Sequence, residues 1–361
     1  MSRVIAIYLP QFHPIPENDE WWGKGYTEWT IVRKAKPLFK NHYQPRIPGE
    51  LGYYDLREPI VRSAQADLAR RHGVEGFCYW HYYFGDGKRI LELPFNEVLK
   101  SGSPDFPFCL GWANHSWYKK LFGQEGKNKL LIEQKYPGEA DHINHFNLLL
   151  PAFQDHRYIK VDNKPVFFIY APLDIPDVKN FIKLWQGLAI KNGLPGLHFI
   201  ANTYLENIPD LIELGFDAVA PVRLFDVFKK EYNLAHRAII KILRLLFKRG
   251  RIMDYEKCRK YFYGKEDSLE YVYPSIYPNW DHSPRSGRHG HMLHNSNPES
   301  FGKHVADIAE MIKNKQDEYK IVFLRSWNEW GEGNYIEPDQ RYGYQFLEAL
   351  RDNILNKFQK V

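Results

Sequence analysis

The stretch IVFLRSWNEWGEGNYIEPD, Ile321–Asp339, decides how the rest of the 361-residue chain reads. It opens with Ile321–Ser326, a short apolar run of the length of a strand buried on both faces. Straight after the run come Glu329 and Glu332, among Trp327, Trp330 and Tyr335. Runs of the same kind recur upstream at Val4–Leu9, Gly76–Trp80, Phe106–Trp112, Val166–Tyr170, Leu197–Ala201, Ala218–Val222 and Tyr271–Tyr277, which makes eight. Between them lie stretches with helical spacing: Pro59–Arg71, Ala140–Phe153, Val178–Lys191, Pro298–Lys313 behind the candidate N-cap Asn297, and Gln345–Phe358. Eight strands alternating with helices predict an α/β protein, a (β/α)8 barrel of the TIM type, as a single domain over residues 1–361. Two connections are long: Pro10 to Asp55 after strand one, and Phe225–Glu270 after strand six, the latter holding a basic helical insertion. A doubly wound open sheet has the same alternation, but no GxGxxG follows the first strand, which weakens a dinucleotide-binding reading.

Composition narrows the function. Hydrophobic residues make up 44% of the chain and aromatics 16%, with 10 Trp, 24 Tyr and 23 Phe. Aromatic faces stack on the C–H faces of sugars, so this richness suits a carbohydrate site as well as a large aromatic core. Cys78, Cys109 and Cys258 are odd in number and form no CxxC pair, so neither a zinc site nor a disulfide framework is expected. The N-terminus lacks the apolar length of a signal peptide, and no run reaches the roughly 18 apolar residues of a membrane span, so a cytoplasmic location is expected. The net charge of +5 is local: LAHRAIIKILRLLFKRGR, residues 234–251, is strongly basic and has no acidic residue. A general nucleic-acid surface is therefore not expected. Arg237, Lys241, Arg244 and Lys248 follow helical spacing, which suits either a surface helix packed on the barrel or a peripheral contact with an anionic inner-membrane face.

In a barrel, reacting groups sit at the C-terminal ends of the strands. Glu329 and Glu332 follow the eighth strand, and their spacing brings both carboxylates to one side of a turn. Glycosyl chemistry needs such a pair, one group to protonate the leaving oxygen and one to act as base or nucleophile. Nearby indoles and mutual repulsion would raise one pKa. The remaining strand ends supply Tyr8, Trp80, His81, Tyr82, Trp112, Asn114, Tyr170, Asn202 and Trp280, and the last connection adds Trp327, Asn328 and Tyr335. Together these form a candidate lining for a hydroxyl-rich ligand, an oligosaccharide or polysaccharide. No GxSxG elbow, P-loop or HExxH occurs. His142 and His145 read as solvated residues of a surface helix, and the run His289–His294 as an ordinary loop, so no metal and no cofactor is expected.

The phrases YLPQFHPIPENDEWWGKGYTEW (Tyr8–Trp29), KPLFKNHYQP (Lys36–Pro45), GYYDLR (Gly52–Arg57), FCLGWAN (Phe108–Asn114), LLIEQ (Leu130–Gln134), NWDHSPR (Asn279–Arg285) and SWNEWGEGNYIEPD (Ser326–Asp339) span nearly the whole chain in order. In them the sequence resembles the WbsX-like proteins of bacterial polysaccharide gene clusters, related to glycoside hydrolase family ninety-nine. That resemblance implies a (β/α)8 barrel and an endo-acting, retaining cleavage of α-mannosidic linkages through a 1,2-anhydro sugar. It assigns the base to the 2-hydroxyl to Glu329 and the general acid/base to Glu332. The chain departs from the pattern at His115, where such relatives often carry an acidic residue; Lys119 and Lys120 follow, and an anionic ligand fits that change. Two other functions stay open: a glycosyltransferase of O-antigen or capsule synthesis, although no DxD motif lies in a suitable place, and a non-catalytic glycan-binding barrel.

Overall fold

The computed structural model describes residues 2–119, 129–224, 227 and 250–354. Its centre is a barrel of parallel strands: β1 (Arg3–Tyr8), β2 (Val74–Tyr83), β3 (Phe108–Trp112), β4 (Lys164–Ile169), β5 (His198–Thr203), β6 (Ala218–Pro221), β7 (Ser275–Ile276) and β8 (Ile321–Leu324). They pair in the order β6-β5-β4-β3-β2-β1-β8-β7. The Val219 N–H donates to Tyr271 O and the Tyr273 N–H to Val219 O, both at 2.8 Å, so the two ends of the sheet meet and the barrel is nearly closed. Each of the eight apolar runs in the sequence overlaps one strand, and closure sets the open-sheet alternative aside.

The long connection after β1 carries α1 (Pro16–Trp22) and α2 (Glu28–Lys34). The outer layer follows with α3 (Pro59–Arg71), α4 (Leu93–Ser101), α5 (Glu139–Phe153), α6 (Val178–Lys191) and α7 (Ile208–Glu213). Beyond β6 and β7 come α8 (Tyr255–Arg259), α9 (Ser283–Ser286) and α10 (Pro298–Ile312), and after β8 comes α11 (Gln345–Ile354). The Asn297 side chain does cap α10, accepting from the Ser300 N–H at 3.0 Å. The sequence reading lacked α4, whose 9 residues are too few for clear periodicity. Most of the basic stretch 234–251 lies outside the described residues. Among the described residues no helix is long and apolar enough to cross a membrane, and no cluster of side chains could hold a metal ion. All three cysteines are buried, and none forms a disulfide among the described residues.

Strand side chains alternate between the barrel interior and the helical layer. Phe168 of β4 meets Phe323 of β8 at 5.1 Å between ring centroids; these strands are not neighbours, so the contact crosses the interior. Trp80 joins this set against Phe168 and Tyr170, at 5.8 and 5.7 Å. Gly111 of β3 leaves room for it, since a Cβ there would come within 3.1 Å of the Trp80 ring. The opposite parity of β2 faces outward. His81 shares a 2.8 Å hydrogen bond with His145 of α5, and Tyr83 stacks on the same imidazole at 3.9 Å. His142 and His145 are therefore buried rather than solvated, because α5 turns them onto β2, β3 and α6.

Candidate active site

The loop that carries Glu329 and Glu332 is tied down before either carboxylate is placed. The Trp327 N–H donates to Ile7 O at 2.7 Å, and the Asn328 side chain pairs with both backbone groups of Leu9, at 2.8 and 3.0 Å. Ser326 Oγ accepts from the Asn328 and Glu329 N–H groups and tightens the turn out of β8. A short antiparallel ribbon, Asn328–Glu329 with Asn334–Tyr335, then folds the loop back through Gly333, whose φ of +58° favours glycine. Beneath it lies the buried carboxylate of Glu337. It accepts from the indoles of Trp330 and Trp327, from Gln65 Nε2 and from the Tyr54 hydroxyl, at 2.7, 2.8, 2.6 and 2.9 Å. Burial pushes its pKa up to about 7, against the pull of those four donors.

Glu329 and Glu332 converge on one guanidinium, that of Arg285 in α9. Arg285 donates to Glu332 at 2.7 Å and to Glu329 at 3.2 Å. The same group donates twice to Glu28 at the start of α2, at 2.7 and 3.2 Å. The side chains of Glu329, Glu332 and Arg285 are 16, 14 and 29% exposed, so the cluster is sunk but open at the mouth, whereas Glu28 is closed off at 1%. Burial and then the charge of Glu332 push the Glu329 carboxyl up to about 8, and Arg285 reverses only part of this. Arg285 itself stays protonated despite burial, because Glu28, Glu332 and Glu329 surround it. His282 Nε2 lies 3.5 Å from Glu332. Asp281 supports the same loop from behind: its N–H donates to Glu332 O at 2.6 Å, while its carboxylate accepts from His42 and Gln44. The hydrogen bond from His42, nearby Arg46 and a hydrogen bond from Ser283 hold Asp281 below the usual carboxylate range in spite of its burial.

The other sequence candidates divide by strand parity. Trp80, Tyr82, Tyr170 and Asn202 are on the interior side. Burial and then Glu329 raise the Tyr82 hydroxyl, and burial and then Glu332 raise that of Tyr170, so both phenols face the pair. Asn202 Oδ1 accepts from Arg325, whose charge also acts on Glu329. Trp280 is half-buried beside His282 at 6.3 Å. Seven candidates do not line the cleft. Tyr8 turns outward and donates to Gln65 at 2.6 Å. His81 faces α5 as described, and Trp112 packs on Phe181 and His145 with its indole on Tyr83 O. Trp327 is spent on Glu337 and Asn328 on Leu9, both at 0% exposure. Asn114 and Tyr335 are also buried with internal partners: Asn114 bridges to Ala171 and Tyr136, and Tyr335 stacks on Trp330 at 3.6 Å and donates to Asp339.

Sequence reasoning missed Glu28 and Glu337 as site residues, and it had His282 and Arg285 only as part of the polar run after the seventh strand, with no role of their own. One local signal was present, the glycine between the two glutamates. A Cβ on Gly331 would stand 1.8 Å from Glu28 Oε1, so that position is empty because a carboxylate from another element fills it.

Comparison with known proteins agrees with this fold. Two strains of Xanthomonas campestris pv. campestris each have a protein, known as uncharacterized protein WxcX, that is 32% identical over 351 residues, covering 97% of this chain. The chain spans about half the length of these curated relatives, 49%. A solved endo-α-mannosidase of glycoside hydrolase family ninety-nine from Bacteroides thetaiotaomicron superposes with a TM-score of 0.54 at 16% identity, covering 99% of this chain and 98% of that one. A solved glycoside hydrolase-like protein gives 0.59 at 17%, covering 98% and 94%. At such identities the likeness is one of fold, a barrel of the same type. The model of the family described as glycosyltransferase WbsX matches from residue 4 to residue 350, through every strand of the barrel and the whole Ser326–Asp339 loop, and the chain belongs to that family.

Proposed function

We propose that this chain is a carbohydrate-active enzyme, a retaining, endo-acting glycoside hydrolase on a mannose-type or bacterial surface glycan. The observation that carries the reading is the pair Glu329–Glu332, gathered on one guanidinium at the open end of the barrel. The likeness in fold to an endo-α-mannosidase supports the choice of linkage.

In this reading the substrate's own 2-hydroxyl oxygen attacks the anomeric carbon, and its proton passes to Glu329. The bond to the leaving oxygen breaks as Glu332 donates a proton to that oxygen. The product of this step is a 1,2-anhydro sugar. Water then opens it: Glu332 takes a proton from the water, Glu329 returns one to the 2-oxygen, and the configuration at the anomeric carbon is retained overall. The cycle needs one proton on the pair at the outset. The raised affinity of Glu329 supplies one at neutral pH, and its transfer to Glu332 accompanies binding, when the 2-hydroxyl donates to Glu329. Trp80, Tyr82, Tyr170, Asn202 and Trp280 serve as the sugar-facing wall.

A second reading, glycosyl transfer, draws support from the description of the family. The two are separated by incubating the protein with reducing-end-tagged manno-oligosaccharides and bacterial surface glycans, with and without nucleotide sugars, and analysing products by mass spectrometry. Cleavage without a nucleotide sugar, abolished by Glu332→Gln, is the expected result. Elongation that requires a nucleotide sugar would replace hydrolysis by transfer, and glycan binding with neither product would leave a binding barrel.

A further inference from the structure

Four charged groups meet at the site, and two of them, Arg285 and Glu28, have no part in the steps above. Glu28 reaches it from α2, some 300 residues before the pair in sequence, and is sealed from solvent. Its Oε1 accepts from both Nε and Nη2 of Arg285, while Nη1 and Nη2 reach Glu332 and Glu329. Three carboxylates thus share one guanidinium, and a single added proton leaves the group with one net negative charge. The fit is steric as well, since the carboxylate of Glu28 lies where any side chain at Gly331 would begin. Among the described residues, the other charged or titratable groups that face the pair or its loop include Tyr26 beside α2, Tyr82 on β2, His115 after β3, Tyr170 after β4, Arg325 after β8, His282 beside α9, and Asp281, whose carboxylate is turned to His42 and Gln44. None of these is a second buried carboxylate on Arg285.

We infer that Glu28 is the positioning residue of the carboxylate pair: it anchors Arg285 between Glu329 and Glu332 and so sets how one proton is divided between them. The inference rests on the proposed roles of the pair for its meaning, but its test does not. Glu28 draws off part of the guanidinium's charge and adds a negative neighbour, and both effects favour a proton on Glu329. Replacing it by a neutral amide removes both.

The experiment is a pH titration of the protonated-carboxyl C=O stretch by infrared difference spectroscopy, with no glycan present. Glu329→Gln identifies the Glu329 band and separates it from that of Glu337. In Glu28→Gln the Glu329 band is expected to titrate about 1–2 pH units lower than in the unaltered protein. Gly331→Ala, which displaces the Glu28 carboxylate by contact without removing a charge from the chain, is expected to move the band in the same direction. An unmoved band in folded Glu28→Gln overturns the inference; if that variant does not fold, an unmoved band in Gly331→Ala does so. Failure of the enzymatic reading would look different, as absence of turnover with the band shift intact.

Discussion

A carboxylic acid that must hand a proton to a departing sugar oxygen cannot be replaced by an amide of the same shape. Glu332→Gln is therefore expected to lose about 10²–10⁴-fold in rate on natural glycans while keeping their affinity. Aryl glycosides with acidic leaving groups need little protonation, so their first step should be partly spared. Glu329→Gln should slow good and poor leaving groups alike, because it removes assistance to the internal nucleophile. A 2-deoxy or 2-fluoro substrate should be inert with the unaltered protein. Rapid turnover of one, through an adduct on Glu329, would substitute double displacement. The two glutamates were legible in the sequence because they sit together behind a strand. Glu28 and Arg285 were not: they are 257 residues apart, and only closure of the barrel joins them.

At the level of the element, the eight strands were legible as apolar runs, but which side of each strand faces the barrel interior was not. A run buried on both faces has no polar alternation to mark its interior side. Tyr8, His81 and Trp112 were drawn into the candidate lining by standing at strand ends, and a shift of one residue sends them to the helical layer. The indole of Trp112 is fully buried against α5 and α6, so Trp112→Ala should cost about 3–5 kcal/mol in denaturant unfolding. Trp80→Ala, on the interior side, should instead raise KM for a glycan by more than it lowers kcat. Equal effects of Trp80→Ala and Trp112→Ala on KM would contradict the parity assignment.

For the molecule as a whole, buried titratable groups shape stability against pH. Burial lowers His81 and His304 to about 3 and His198 to about 4, and it also holds His145 well below the ordinary histidine value. These imidazoles bind fewer protons folded than unfolded, so stability falls as pH drops below the ordinary histidine value of about 6.5. Burial raises Glu329 to about 8 and Glu337 to about 7, so these carboxyls bind more protons folded than unfolded, and they cost stability as pH rises from about 4.5 to those values. Four imidazoles outweigh two carboxyls on the acid side; above pH 6.5 or so the carboxyls lead, until Lys315, which burial lowers to about 8, begins to oppose them near that value. Thermal unfolding followed from pH 4 to pH 8 should thus show a maximum near pH 6.5, and Glu329→Gln should flatten the decline above it. The bonds from Trp327 to Ile7 and from Asn328 to Leu9 also govern when the site can exist, for 319 residues separate Asn328 from Leu9. At ribosomal rates that interval lasts roughly 15–60 s. A nascent chain therefore carries no half-made centre, and on the proposed function any chain cut short before β8 should be wholly inactive.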